Sequence, residues 1–166
     1  MTQIDFLPFT PDYAAMVASW ASSAEEAAMW CGEQEFPVPA RRVADWQRDD
    51  EVRAHLLIVG GRPVGYGELW LDAEEHEVEL ARIIIAPAAR GKRLGRALVR
   101  GLLSEALETE YSDIFVRVHP NNANALRCYL TSGFVPVEAG LAQEWNAAQP
   151  VDYVWLRHEE TSSPTI

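Results

Sequence analysis

Ile83-Ile84-Ile85-Ala86-Pro87-Ala88-Ala89-Arg90-Gly91-Lys92-Arg93-Leu94-Gly95-Arg96 is the stretch that decides the fold class of this 166-residue chain. A nearly all-apolar strand runs to Pro87, a loop with two glycines follows, and the loop opens a helix. Leu94, Leu98 and Leu102, with Val99, Leu103 and Leu107, give that helix a broad apolar face. Successive backbone N–H groups at a helix N-terminus form an anion site, and glycine lets a phosphate come close to the main chain. The charge pattern points to the same place. From Leu80 to Ser104 there is no Asp or Glu, but there are Arg82, Arg90, Lys92, Arg93, Arg96 and Arg100, in a chain of formal net charge −11. A basic island in an acidic protein suggests one local anion site; from charge alone, a helix start with solvated arginines reads equally well. The loop has neither the Gly-Lys-Ser/Thr of a P-loop nor the G-x-G-x-x-G of a dinucleotide fingerprint.

Outward from this stretch the pattern alternates between periods. Upstream, period-2 segments predict strands at His55–Val59, Pro63–Leu71 and Val78–Ile85, joined by turns at Gly60-Gly61-Arg62 and Asp72–His76. Before them lie a short strand around Ile4 and Phe6 and a helix start at Thr10-Pro11-Asp12, with the threonine as cap. A second short helix is capped by Ser22 or Ser23 and ends at Gly32; a third starts near Pro39 and buries Val43 and Trp46. Downstream come a strand at Ile114–Val118, a helix at Ala123–Leu130 stopped by Gly133, and strands at Phe134–Val137 and Val151–Leu156. This order is that of a mixed α/β (α+β) sheet, not a doubly wound one. No repeat or linker interrupts it, which predicts one domain over residues 1–158 and a disordered tail over 159–166.

Composition removes several classes. Hydrophobic residues make up 48% and charged residues 23%, as in ordinary globular chains. No apolar run approaches the ~20 residues of a bilayer span, and MTQIDFLPFT lacks the basic region of a secretory signal, so no membrane is expected. Cys31 and Cys128 are too few for a disulfide scaffold or a structural zinc site, so no metal and a reducing cytoplasm are expected. Such an acidic chain is a poor nucleic-acid binder.

A second motif follows the first. Asn122-Ala-Asn-Ala125-Leu-Arg-Cys-Tyr129-Leu-Thr-Ser-Gly133-Phe134 fits N-x-x-A-x-x-x-Y-x-x-x-G-F. Together with Arg90-Gly-Lys-Arg-Leu-Gly95, in this order and at this spacing, it resembles the acetyl-CoA loop and the following helix of the GNAT N-acetyltransferases, over residues 3 to 157. The chain departs at one place: the family's middle glycine is Arg93. The resemblance implies a mostly antiparallel sheet of about seven strands flanked by helices, with two central strands splaying apart after the fourth strand. It implies acetyl-CoA as co-substrate, with its pantetheine arm along the backbone of Ile83, Ile84 and Ile85 and touching Asn122. Its pyrophosphate would lie on the loop, where Arg90, Gly91, Lys92, Arg93, Leu94, Gly95 and Arg96 are the binding residues. Tyr129 would be the general acid, since a phenol of pKa about 10 is protonated at neutral pH and can donate to a departing thiolate. Glu79 stands where several members carry a catalytic glutamate, and strand alternation puts it on the face of Ile83; Glu68 and His119 are the other candidate bases. The chain also resembles the ribosomal-protein alanine acetyltransferases, which carry a glutamate on the fifth strand where this chain has Arg117. Glu33, Glu35, Glu68 and Trp70 would suit a cationic small-molecule or peptide amine, with carboxylates for charge and an aromatic ring for the methylene stem. A homodimer paired through C-terminal edge strands is a family tendency. The competing readings are a non-catalytic acyl-CoA-binding domain and a phosphate-binding α/β domain for another nucleotide.

Overall fold

In the computed structural model, which describes residues 2–159, seven strands form one sheet. They are β1 (Ile4–Pro8), β2 (Val52–Val59), β3 (Arg62–Asp72), β4 (Glu77–Ile85), β5 (Asp113–Val118), β6 (Phe134–Pro136) and β7 (Val154–His158), in the order β1-β2-β3-β4-β5-β7-β6. Every neighbouring pair is antiparallel except β4–β5. A parallel pair needs a crossover, and helix α4 (Leu94–Leu107) supplies it. The remaining helices are α1 (Ala14–Ala18), α2 (Ala24–Cys31), α3 (Ala40–Trp46), α5 (Ala123–Thr131) and α6 (Ala139–Asn146).

Each face of the sheet buries its own core. Leu98, Val99 and Leu102 of α4 pack on Leu69, Leu80 and Val116, with Tyr129 of α5 in the same cluster. On the other face Val17, Trp30 and Val43 of α1, α2 and α3 pack on Leu56, Tyr66 and Ile84. Helix α4 lies so close to β3 that a Cβ on Gly67 would stand 2.6 Å from Leu102 Cδ1, so a side chain there would have to push that methyl aside.

Strand β4 changes faces partway along. Val78 and Leu80 belong to the α4 cluster, whereas Ile84 belongs to the other. The register with β3 explains it: Tyr66 faces Ile84 but Glu68 faces Ala81, so Arg82 and Ile83 together oppose Gly67. This is a β-bulge, with Arg82 at φ 48°, in the left-handed region. One extra residue reverses the alternation. Glu79 therefore lies on the face opposite Ile83, which corrects the sequence expectation.

The same strand forks from β5. Their rungs run from Glu77↔Asp113 to Leu80↔Val116 and stop there, while β4 continues to Ile85 and β5 goes on with β7. The splay implied by the resemblance is present.

Two local readings differ. Ser23 caps α2 by accepting from the Glu26 N–H at 3.1 Å, but the Thr10 hydroxyl caps nothing, and a single 3-10 turn at Pro11–Tyr13 leads into α1. Helix α6 was not anticipated. Trp145, four residues after Leu141, packs edge-on against Phe115 at 5.1 Å and Trp155 at 5.0 Å, and Asn146 accepts from Trp155 Nε1 at 2.8 Å. Among the described residues no helix is long and apolar enough to cross a membrane, and both cysteines are free. The tail read as disordered lies, from residue 160 onward, outside the described residues.

Candidate active site

The loop before α4 is built to present backbone. Gly91 sits at φ 78° and Arg93, the N-cap, at φ 62°. No side chain caps α4 and no acid occupies its first turn. Its first N–H groups therefore point outward without a side-chain acceptor, at the positive end of the helix dipole. A Cβ on Gly95 would meet nothing closer than Cys128 Sγ at 3.9 Å, so packing does not require a glycine there; its absence of side chain leaves the helix start bare. Lys92, Arg93, Arg96 and Arg100 are exposed around it.

Two members of the basic island are used elsewhere. The Arg90 guanidinium turns inward, donating from Nε to the Ile85 carbonyl at 3.0 Å and pairing with Glu26 at 2.5 and 3.1 Å. That hydrogen bond holds the Glu26 carboxyl below its usual range, and the Arg90 side chain is engaged by it while remaining partly exposed. Arg82 lies on the opposite face.

The fork between β4 and β5 adjoins this loop. The carbonyls at both ends of its β4 arm are occupied: Trp30 Nε1 donates to Arg82 O at 2.8 Å, and Arg90 to Ile85 O. Ile84 and Ile85 keep rungs with β3, but Ile83 has a ladder partner on neither side. Asn122 is the N-cap of α5, its Oδ1 accepting from the Ala125 N–H at 3.2 Å. Tyr129, on α5, is buried edge-on against Phe134 with ring centroids 5.9 Å apart. Its hydroxyl has no hydrogen bond to protein among the described residues, and burial holds the phenol well above its ordinary pKa. Burial likewise pushes the Cys128 thiol up, so it packs and does not attack.

The face toward α1, α2 and α3 carries the carboxylates, and here the expectations need correction. Glu68 was read as a ligand for a cationic substrate. It is fully buried, accepting from Tyr66 OH, from Trp70 Nε1 at 2.7 Å and from Arg82 NH1 at 2.9 Å, so no substrate reaches it. The Arg82 guanidinium lies over the Trp46 ring at 4.0 Å and the Trp70 ring at 4.9 Å. Glu79 is held as tightly: Arg117 donates Nε to one oxygen at 2.6 Å and NH2 to the other at 2.8 Å. Burial alone would lower the Arg117 pKa, but the Glu79 carboxylate more than offsets it and keeps the guanidinium charged. Glu33 and Glu35 pair with Arg42 at 3.3 and 3.7 Å, at the surface. His119 accepts at Nδ1 from the Asn121 N–H at 3.1 Å.

Beside Glu79 opens a cavity of about 530 Å³, lined by Trp70, Phe115, Trp145 and Trp155 and by five carboxylates, Glu51, Asp72, Glu75, Glu77 and Glu79. Burial, and then the neighbouring Asp72 and Glu75, raise the Glu77 carboxyl above its usual value. Of the residues expected to bind the acceptor, only Trp70 faces this cavity. Arg117, Glu77 and Trp155 were missed as site residues. The alternation Glu75, Glu77, Glu79 was the available signal, and it reads equally as a solvated face. Among the described residues no group of three or more His, Cys, Asp or Glu is placed to hold a metal ion.

Comparison with known proteins places this geometry. Residues 16–134 match the model of the acetyltransferase (GNAT) family, and the chain belongs to that family. A mycothiol acetyltransferase of Jonesia denitrificans is 35% identical over 115 residues, covering 65% of this chain and 34% of the relative; the chain thus spans about a third of that relative's length. Among solved structures, the aminoglycoside acetyltransferase AAC(6')-Ib in complex with paromomycin and acetyl-CoA superposes with a TM-score of 0.75 at 20% identity, covering 98% of this chain and 99% of that one. A spermidine N-acetyltransferase from Vibrio cholerae with CoA and spermine gives 0.70 at 19% identity, covering 81% and 82%.

Proposed function

We propose that this member of the GNAT family is an acetyl-CoA-dependent N-acetyltransferase that moves the acetyl group directly to a primary amine. What carries the reading is one juxtaposition: an uncapped, acid-free α4 N-terminus opens beside a fork in which Ile83 has no ladder partner, with the Tyr129 hydroxyl unbonded to protein on the same side of the sheet. The N–H groups from Gly91 to Arg96 would take the pyrophosphate, and the exposed basic side chains would add charge. The pantetheine arm would add itself to the free edge of β4 at Ile83, with the Asn122 side chain near it. The relatives with CoA or acetyl-CoA bound support this assignment.

The amine nitrogen attacks the thioester carbonyl carbon, the C–S bond breaks, the departing thiolate takes its proton from Tyr129, and Tyr129 regains one from solvent, which restores the enzyme. The amine's own proton passes to solvent. Glu79 is not assigned the base, because both its oxygens are engaged by Arg117. The acidic, aromatic cavity would seat a cationic part of the acceptor away from the reacting amine.

The test is calorimetric titration of the purified protein with acetyl-CoA, CoA and ATP, followed by a thiol-release assay over a panel of amines. CoA species should bind and ATP should not. Gly95→Glu, which sets a carboxylate against the pyrophosphate, should weaken acetyl-CoA by at least about 100-fold. Tyr129→Phe should keep the affinity within about threefold and lower turnover about 100-fold. Equal preference for ATP, or no CoA binding, overturns the reading. CoA binding without turnover in the parent chain points instead to a non-catalytic acyl-CoA-binding domain.

A further inference from the structure

At the last rung of the fork a carboxylate is closed by a cation, and aromatic rings surround that cation. Glu79 stands one residue before the final β4–β5 rung, Leu80↔Val116, and Arg117 is the first β5 residue beyond it. The Arg117 fork closes on both Glu79 oxygens. Its guanidinium lies 4.7 Å from the Trp155 ring centre, 5.6 Å from Tyr153 and 5.7 Å from Trp70, and it donates to Gln149 Oε1 at 3.3 Å. A carboxylate whose paired cation sits among three aromatic rings is the chemistry that would otherwise hold an alkylammonium ion.

Resting on the transferase reading above, we infer that Arg117 is a specificity-determining residue, a resident cation that denies Glu79 to the acceptor and restricts the enzyme to primary amines that are substantially neutral near pH 7. Displacing it would leave a partly buried guanidinium without its carboxylate and strip its ring contacts, so an incoming ammonium gains little by competing. The reacting amine then meets a closed ion pair at the fork, with no carboxylate to hold it charged or to take its proton. It must arrive neutral. At pH 7 roughly one in ten peptide α-amines is neutral, against about one in 2,500 lysine ε-amines. The other carboxylates lining the cavity, Glu51, Asp72, Glu75 and Glu77, are not the ones closed by Arg117, and on this inference they hold a distal cation.

The experiment compares kcat/KM at pH 7 for a dipeptide amide, reacting at its α-amine, and Nα-acetyl-lysine amide, reacting at its ε-amine. The parent chain should favour the α-amine at least tenfold. Arg117→Gln should raise kcat/KM for the lysine amine and narrow the ratio at least tenfold, and adding Glu79→Gln should remove that gain. Arg117→Lys, which keeps a resident cation, should hold the ratio near that of the parent. Acetyl-CoA affinity and thermal midpoint, measured on each variant, separate selectivity from loss of fold. A ratio unchanged in Arg117→Gln overturns the inference, and so does a parent chain that prefers the lysine amine, a result that needs no variant. Both leave the transferase reading standing; absence of thiol release with every amine overturns that reading and this inference together.

Discussion

On the α4 side of the sheet His55 is buried with its ring stacked on Phe6 at 4.9 Å and Nδ1 without a partner; on the other side Glu68 is buried with three donors around it. Among the described residues these are the only buried side chains of polar or charged type, one on each face. The α4 face favours the neutral form of this ring, since burial depresses the His55 pKa below its ordinary value. The opposite face keeps a carboxylate by surrounding it with Arg82, Trp70 and Tyr66, and the same burial and carboxylate push the Tyr66 phenol far up, so that it donates and never competes as an anion. The difference suits the two tasks proposed above, cofactor binding and acceptor selection. A face that receives a long cofactor needs dry packing and bare backbone. A face that sorts acceptors needs fixed charges in fixed places, and buried charges are fixed only when every partner is supplied.

The largest way to break this contrast is to remove one partner on the charged face. Glu68→Leu should destabilise the fold by about 3–5 kcal/mol, because it strands the Arg82 guanidinium, and denaturant unfolding would measure it. A loss under about 1 kcal/mol would mean that Arg82 escapes to solvent and that the cluster is not a unit.

A smaller effect should come from pH on the other face. Below pH 6.5 the unfolded chain takes up a proton at His55 that the folded chain refuses. More protons are then bound in the unfolded state, so stability falls as pH drops through that range, by at most about 1.4 kcal/mol per pH unit from this residue. Above pH 6.5 both states hold the ring neutral and the residue contributes no slope. His55→Phe should flatten the curve between pH 6.5 and 5 in thermal melts; an unaltered curve would place the sensitivity elsewhere.

The smallest effect belongs to the loop joining the faces. Arg93 holds φ 62° where a glycine would be unstrained. Arg93→Gly should stabilise the chain by about 0.5–1 kcal/mol, the relief of the left-handed strain exceeding the extra freedom of the unfolded glycine. Acetyl-CoA affinity should change less than about threefold, since the backbone N–H remains. A loss of affinity beyond that would show that the Arg93 side chain itself holds phosphate.

How much of this could be read before any coordinates depended on range along the chain. The strand–loop–helix at Ile83–Arg96, a serine cap at Ser22 or Ser23, the α5 motif with Tyr129 and the approximate strand positions are local, and periodicity and capping chemistry report local structure directly. The parity of β4 escaped. A bulge is one residue inserted against a partner strand, and Gly67, the residue it opposes, is remote in sequence. That single residue moved Glu79 to the other face.

The amino-acid sequence by itself determined the fold class and the position of the loop that opens α4, because both follow from hydrophobic period and glycine placement. Only the tertiary structure decided which charges are available. Glu68 and Arg82 are 14 residues apart, Glu79 and Arg117 are 38, and Glu26 and Arg90 are 64. Each carboxylate reads in the sequence as a free anion and each arginine as a free cation. Whether they meet is settled by strand register and helix docking, which bring chemically complementary groups into hydrogen-bond contact and leave each engaged by its partner.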